Sequence, residues 1–208
     1  GKIWYNATNL IEYACQEAGA PVPQFVRLPW PGAFQDGVGE QNILSIGDVG
    51  RLLQACIKDM SAALHKAEEP HYRGPELSEL FPFIVCFAFW TMFNPETVTA
   101  MRIDDVRPGS NGRAILIGRK ARAAQDQIAT VETTDNHICS PIRIIDNIKR
   151  ITAAIRRTLP PDERNYVFIG RQRSIQRSYA EARPFHFVNS AMQLYYRENF
   201  CARHNLPY

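Results

Sequence analysis

The sequence predicts an α+β fold that is mainly helical and contains a small antiparallel β-hairpin. Two long segments, beginning near residues 45 and 141, repeat apolar residues at spacings of three and four, which is typical of helices with one buried face. Residues 113–118 and 127–133 look like two strands with a polar connection. The 45% hydrophobic and 22% charged fractions are ordinary for a globular protein and exclude a disordered chain.

The first 40 residues are predicted to lie outside the main domain. Residues 3–18 have a helix-like apolar spacing, whereas residues 19–39 are rich in proline and glycine. We therefore expect an N-terminal helix and an arm or linker over 1–40, followed by a domain over 41–208.

The main domain is predicted to open with two helices. Ser45 with Asp48 three residues later forms a capping-box pattern. One apolar stripe follows it: Ile46, Val49, Leu52, Leu53, Cys56, Ile57, Met60 and Leu64. After a loop over 68–75, a second helix from Glu76 or Ser78 to Phe93 is apolar nearly all round, so we expect it at the centre, with Pro82 near its first turn.

A third, short helix is predicted after Asn94-Pro95-Glu96-Thr97. Asn94 suits the N-cap, Pro95 the first helical position and Glu96 the first turn. This helix carries Val98 and Met101 and should end by Asp105.

Three further elements are predicted after the hairpin. A helix begins at Pro141 and ends before Pro160-Pro161, and residues 166–169 form a short strand or extended piece. A last helix is expected over about 184–203. The predicted inward residues of the first of these helices are Ile142, Ile145, Ile148, Ile151 (or Thr152) and Ile155.

Basic residues are clustered although the net charge is only +3. Local basic patches are what phosphate contacts need, whereas a solvated surface is the common explanation of any single residue. One group contains Arg102, Arg107, Arg113, Arg119, Lys120 and Arg122, and a second contains Arg171, Arg173, Arg177 and Arg183.

The remaining composition argues against metal, disulfide and membrane classes. The five cysteines are odd in number and widely spaced, so we expect reduced, mostly buried thiols of a cytoplasmic protein. The five histidines lack metal-ligand spacing. The most apolar run, 80–93, is shorter than the ~20 residues that span a bilayer, and the N-terminus lacks a secretory pattern.

Residues 41–208 resemble the catalytic domain of tyrosine recombinases, the phage-integrase family. In that family an apolar helix ends at a T-G-x-R turn, and an L-R-x-x-D-I segment leads into a hairpin that carries a lysine. The corresponding segments here are Thr91-Met92-Phe93-Asn94, Met101-Arg102-Ile103-Asp104-Asp105-Val106 and Gly118-Arg119-Lys120 with Arg122.

The resemblance implies site-specific DNA integration or recombination, typical of phages and mobile elements, through a phosphotyrosyl intermediate. It implies no metal and no other cofactor, double-stranded DNA as partner and a homo-oligomer on that DNA. Lys120 would be the general acid, and Asn94 would stand at the position of the first catalytic arginine. Arg102, Arg119 and Arg122 would contact phosphates.

Two departures from the family pattern limit the expected activity. Asn94 carries no charge, and the second box (H-x-x-R), the histidine or tryptophan after it and the nucleophile have no counterpart. Tyr208 lacks a nucleophile's surroundings. We therefore expect a domain truncated before its second box and inactive alone.

Simpler interpretations stay open for each site residue. Asn94 also fits a helix cap, Lys120 a solvated hairpin lysine, and Arg102 an ion pair with Asp104 or Asp105. For the whole chain, the alternatives are a catalytically inactive DNA-binding or accessory protein on the same fold and a helical protein-interaction domain.

Overall fold

The computed structural model describes residues 45–119, 126–173, 180–184 and 196–206. The predicted N-terminal helix and arm over 1–40 lie outside these residues, as do Lys120 and Arg122.

Helix α1 spans Ile46–Lys66 and begins at the predicted N-cap. The Ser45 hydroxyl accepts the Asp48 N–H at 3.1 Å, and the Asp48 carboxylate accepts the Ser45 N–H at 3.3 Å, so the capping box is confirmed. Cys56 and Met60 are fully buried on its inner face. Ile46, predicted as the first residue of the stripe, is 45% exposed because the helix starts outside the core.

Helix α2 spans Leu77–Thr91 and ends in a left-handed Met92, slightly earlier than the predicted Phe93. Its central position is confirmed, because its residues are buried on several faces. Pro82 lies inside the helix and removes one backbone donor from it. The most deeply buried residues of α2 are Leu80, Phe83, Ile84, Cys86 and Phe87.

Helix α3 spans Pro95–Ala100 and begins as predicted. The Asn94 side-chain oxygen accepts the Thr97 N–H at 2.8 Å, and Pro95 occupies the first helical position. After Met101, the chain forms a 3-10 turn over Ile103–Asp105.

The predicted hairpin is confirmed and is part of a three-stranded antiparallel sheet. Strands β1 (Val106–Pro108), β2 (Arg113–Gly118) and β3 (Gln127–Glu132) lie in sequence order. Gly118 pairs with Gln127 and Val106 with Leu116. The sequence analysis missed β1, because a three-residue strand that ends in proline has no period to detect.

Helix α4 spans Pro141–Arg156 and begins at the predicted proline. The predicted inward residues are buried except Ile142, which is partly buried. Ile144, which was not predicted, is fully buried, because the buried face of α4 is wider than one stripe.

The chain after α4 differs from the prediction. Strands β4 (Ile169–Arg173) and β5 (Ala180–Pro184) form a second antiparallel hairpin, so the strand predicted over 166–169 begins only at Ile169. The predicted start of the last helix at about residue 184 is wrong, because Pro184 pairs with Ile169 at the end of β5. Proline suits both a helix start and a strand end, so its presence did not distinguish them.

The C-terminal part of the described chain is helical. A π-helix spans Tyr196–Cys201, and α5 spans Ala202–His204. Phe200 is fully buried with its ring centroid 5.1 Å from that of Phe81, so it is part of the core. Residues 185–195 of the predicted last helix lie outside the described residues.

The described cysteines are free thiols, as predicted, and all are buried: Cys56, Cys86, Cys139 and Cys201. Cys15 lies outside the described residues. Within the ranges described here, no helix is both long and apolar enough to cross a membrane.

Candidate functional site

The turn between α2 and α3 holds Asn94, the residue predicted at the first arginine position. Asn94 is half-buried. Phe93, directly before it, is 2% exposed, and Thr97, three residues after it, is 1% exposed. Its side-chain oxygen is used by the N-cap bond to the Thr97 N–H. The capping interpretation is therefore confirmed, and the side chain adds no charge to this turn.

The end of β2 lies directly on this turn. A Cβ atom built on Gly118 would lie 2.4 Å from Thr97 Cγ2 and 2.9 Å from Phe93 Cε2. These distances leave no room for a side chain, so the glycine permits a close approach of backbone to the turn. The fold thus brings Asn94 together with the start of the Gly118-Arg119-Lys120 segment, from which it is distant in sequence.

Arg119 is held at this corner by a buried carboxylate. Its Nε donates to Asp105 Oδ1 at 3.1 Å, and the other oxygen of Asp105 accepts the Arg102 N–H at 2.9 Å. The Asp105 side chain is 3% exposed, whereas that of Arg119 is 67% exposed. The Asp105 carboxylate therefore joins the 3-10 turn to the end of β2.

Arg102 is directed to another part of the chain. Its guanidinium carbon lies 5.0 Å from the centroid of the Tyr166 ring, which is a cation–π contact. Arg102 and Tyr166 also form an isolated antiparallel bridge, and the Ile103 N–H donates to the Asn165 carbonyl at 2.7 Å. The predicted ion pair of Arg102 with Asp104 or Asp105 is replaced by this stacking and by the backbone bond to Asp105.

Lys120 and Arg122, the other two predicted site residues, lie outside the described residues. Lys120 follows Arg119 directly in the chain.

Sequence reasoning missed the parts played by Gly118 and Asp105. A glycine at the end of an apolar strand, next to basic residues, was the available signal of a close backbone approach. The partner of Asp105 had no such signal, because it comes from the far end of a hairpin.

In the second predicted basic group, Arg171 has a structural role, because its guanidinium bonds within the protein. Arg171 Nε donates to the Gly74 carbonyl at 3.1 Å, and its Nη2 donates to Glu76 at 3.0 Å. Its side chain is 23% exposed. Arg183 is exposed on β5, and Arg177 lies outside the described residues.

The described histidine, cysteine and carboxylate side chains form no metal site, and the paired core cysteines provide no nucleophile. No group of histidine, cysteine and carboxylate side chains among the described residues is placed to hold a metal ion. The sulfurs of Cys86 and Cys139 lie 3.6 Å apart in the core. The neighbouring Cys86 thiol and burial both raise the pKa of Cys139, so it stays a protonated thiol and not a nucleophile.

A shallow cleft of about 160 Å³ lies between α1, α2 and the C-terminal helix. Its charged residues neutralise one another in two ion pairs, Asp59 with Arg203 and Lys66 with Glu79. The cleft therefore offers no unpaired charge for a ligand.

Comparison with known proteins shows no matching protein-family model, no matching curated protein and no matching solved structure.

Proposed function

We propose that the chain binds double-stranded DNA through a fold like that of a tyrosine-recombinase catalytic domain. The observation that carries the proposal is the contact of Gly118 with Phe93 and Thr97. This contact sets the hairpin segment that leads to Lys120 against the turn that holds Asn94. In the family that the sequence resembles, these two segments belong to one active site.

The charge of this corner supports a polyanionic partner. Arg119 is largely exposed and lies next to Lys120 in the chain, and Arg122 follows closely. Lysine and arginine side chains bind phosphates of the DNA backbone and release counterions, which makes such binding strongly salt-dependent. These contacts position a protein on DNA without reading its sequence.

In the proposed reaction, a tyrosine oxygen would bond to the scissile phosphorus, and Lys120 would protonate the 5′-oxygen as its bond to phosphorus breaks, so that it leaves as a hydroxyl. The ammonium group is mobile and strongly hydrated, which suits delivery of a proton at the DNA backbone. The 208 residues contain no H-x-x-R box, so we expect this chain alone to bind DNA without cleaving it.

The binding test is fluorescence anisotropy with a labelled DNA duplex over a series of salt concentrations. We expect affinity to fall steeply between about 50 and 200 mM salt. Lys120→Ala should lower the affinity, whereas Lys149→Ala, which removes an exposed lysine from α4, should not. No binding at low salt would overturn the proposal and favour a protein-interaction domain.

The cleavage test uses a nicked duplex that traps phosphotyrosyl adducts. A gene product that continues beyond Tyr208 with an H-x-x-R box and a tyrosine should form the adduct, and Lys120→Ala should slow it. A longer protein that binds DNA but forms no adduct would refute the enzymatic part of the proposal.

A DNA-binding protein without cleavage activity is the second candidate, and one observation favours it. Asn94 brings no positive charge, and its side-chain oxygen is already bonded to the Thr97 N–H. If Asn94→Arg in the longer protein gives no gain in cleavage over the unchanged protein, this candidate is the better one.

A further inference from the structure

Asn94 brings no positive charge to the turn between α2 and α3, whereas the neighbouring end of β2 leads directly into an arginine. We infer that Arg119 supplies, from the end of β2, the guanidinium that Asn94 lacks, and that it binds a phosphodiester oxygen of duplex DNA. The inference rests on the proposed function and adds to it the source of the missing charge and the residue, Asp105, that positions that charge.

Asn94 is unsuited to this task for two reasons. Its oxygen accepts the Thr97 N–H at 2.8 Å, which fixes the side chain in the cap. An amide also lacks the charge of a guanidinium, and hydrogen bonds from ionised donors to phosphates are roughly twice as strong as neutral ones.

Arg119 lies close to the Asn94 turn because Gly118, the residue before it, contacts that turn. Gly118 is in contact with Phe93 and Thr97, on both sides of Asn94, so the Arg119 backbone follows immediately after that contact. The side chain is 67% exposed, and its only hydrogen bond within the described residues uses Nε. The two terminal nitrogens are thus available to a bidentate phosphate contact.

Asp105 positions the guanidinium. Its carboxylate is almost completely buried and is itself held by the Arg102 N–H. An arginine that is tied at Nε to a fixed carboxylate loses less freedom on binding than a free one. Asp105 is therefore a positioning residue and makes no contact with DNA.

Arg102 is another cation at this corner among the described residues, and its guanidinium is engaged elsewhere. Its guanidinium stacks 5.0 Å from the centroid of Tyr166, on the segment that follows α4. Arg119 makes no such ring contact within the described part of the chain. It forms an ion pair with Asp105 through Nε, but its side chain is 67% exposed, so the rest of the guanidinium faces solvent.

The test is the salt dependence of DNA binding by Arg119→Gln, which removes the charge but keeps an N–H donor for Asp105. The slope of log affinity against log salt should fall by about 0.9, the value of one phosphate contact. Between 50 and 200 mM salt the variant should therefore lose about 3.5-fold less affinity than the unchanged chain.

The matched control is Arg157→Gln. Arg157 is exposed just after α4, near Ile155, which packs on Gly74 beside the second hairpin. Arg157→Gln removes the same charge as Arg119→Gln, but from a site outside the proposed DNA-binding corner. We therefore expect it to leave the slope of log affinity against log salt unchanged. Equal slopes for Arg119→Gln and Arg157→Gln, with Lys120→Ala still weakening binding, would overturn this inference and leave the proposed function standing.

A rescue experiment separates charge from general damage. Asn94→Arg added to Arg119→Gln should restore the salt slope, because it returns a guanidinium to the turn. Arg119→Lys should also keep the slope, since it keeps the charge. Asp105→Asn should lower the affinity while the slope is kept.

Circular dichroism melting identifies any variant that is unfolded at the binding temperature. If Asn94→Arg unfolds the chain, Arg119→Lys decides the question, and a Lys variant with the slope of Arg119→Gln contradicts the inference. If the unchanged chain does not bind DNA at low salt, both the inference and the proposed function fail.

Discussion

A glycine-arginine pair in each of the two hairpins lies where a strand approaches a helix, at the turn end of the β2–β3 hairpin and at the open end of the β4–β5 hairpin. Gly118-Arg119 lies at the end of β2 and Gly170-Arg171 lies in β4. A Cβ on Gly118 would meet Thr97 Cγ2 at 2.4 Å, and one on Gly170 would meet Leu80 Cδ1 at 2.7 Å. Each glycine thus lets a strand press on the helical layer, and each arginine then pairs with a carboxylate.

The two arginines differ in how much of the side chain is exposed to solvent. Arg171 bonds to both Glu76 and the Gly74 carbonyl and is 23% exposed. Among the described residues Arg119 makes a single side-chain hydrogen bond, to Asp105, and its side chain is 67% exposed. The same dipeptide therefore fastens a hairpin in one corner and presents charge to solvent in the other, so basic residues in a sequence do not by their number identify a phosphate-binding surface.

The largest expected difference between the corners concerns the glycines. Gly118→Ala should lower the free energy of unfolding by about 3 kcal/mol, at the upper end of overpacking effects, because the added Cβ would collide with both Thr97 and Phe93, which are almost completely buried and have no space to move into. Gly170→Ala should cost only about 1 kcal/mol, because the Leu80 methyl is the end of a flexible side chain.

Urea denaturation followed by circular dichroism measures both values. Gly50→Ala is a control, because no atom lies within 4 Å of its added Cβ and the site is helical. Equal losses for Gly118→Ala and Gly170→Ala would show that the two contacts are equally adaptable.

The next largest difference is expected between the two carboxylates that pair with these arginines, in the stability lost when each is removed. Asp105→Ala should destabilise the protein by about 2 kcal/mol, because it removes a buried acceptor and leaves the Arg102 N–H without a partner. Glu76→Ala should cost less than about 1 kcal/mol, since Glu76 is 41% exposed and its ion pair is screened. Thermal melting of the two variants side by side tests this order, and a larger effect at Glu76 would reverse the comparison.

The cap beneath Gly118 should contribute a smaller amount. Asn94→Ala should reduce the free energy of unfolding by about 1 kcal/mol through loss of the bond to the Thr97 N–H. Asn94→Asp keeps an acceptor and should recover most of the loss in urea denaturation. A neutral Asn94→Ala would mean that the cap is not needed to hold the turn against β2.

The smallest expected effect on stability is that of Arg171→Gln, and it distinguishes an arginine with a structural role from one that binds DNA. Arg171→Gln should cost roughly 0.5–1 kcal/mol of stability and leave the salt dependence of DNA binding unchanged. Arg119→Gln should show the opposite pattern in anisotropy measurements, with a changed slope. A reduced slope for Arg171→Gln would mean that the second hairpin also contacts phosphates.

Local chemistry accounts for the features that sequence reasoning predicted correctly. Ser45 with Asp48, and Asn94 with Pro95, specify helix starts through bonds within three residues, so they are visible without a fold. The β2–β3 hairpin and the central α2 were likewise recoverable from strand-like segments and an all-round apolar run. The β4–β5 hairpin was missed because its proline fits two local structures equally well.

The sequence by itself determined where α1, α3 and α4 begin, which helix is central, and that the thiols of the described cysteines are buried. Only the tertiary structure decided which arginine keeps an exposed guanidinium. The bond of Arg119 to Asp105 spans 14 residues, and that of Arg171 to Glu76 spans 95. Burial and partners at such separations depend on how the layers pack, and no local pattern of residue types encodes them.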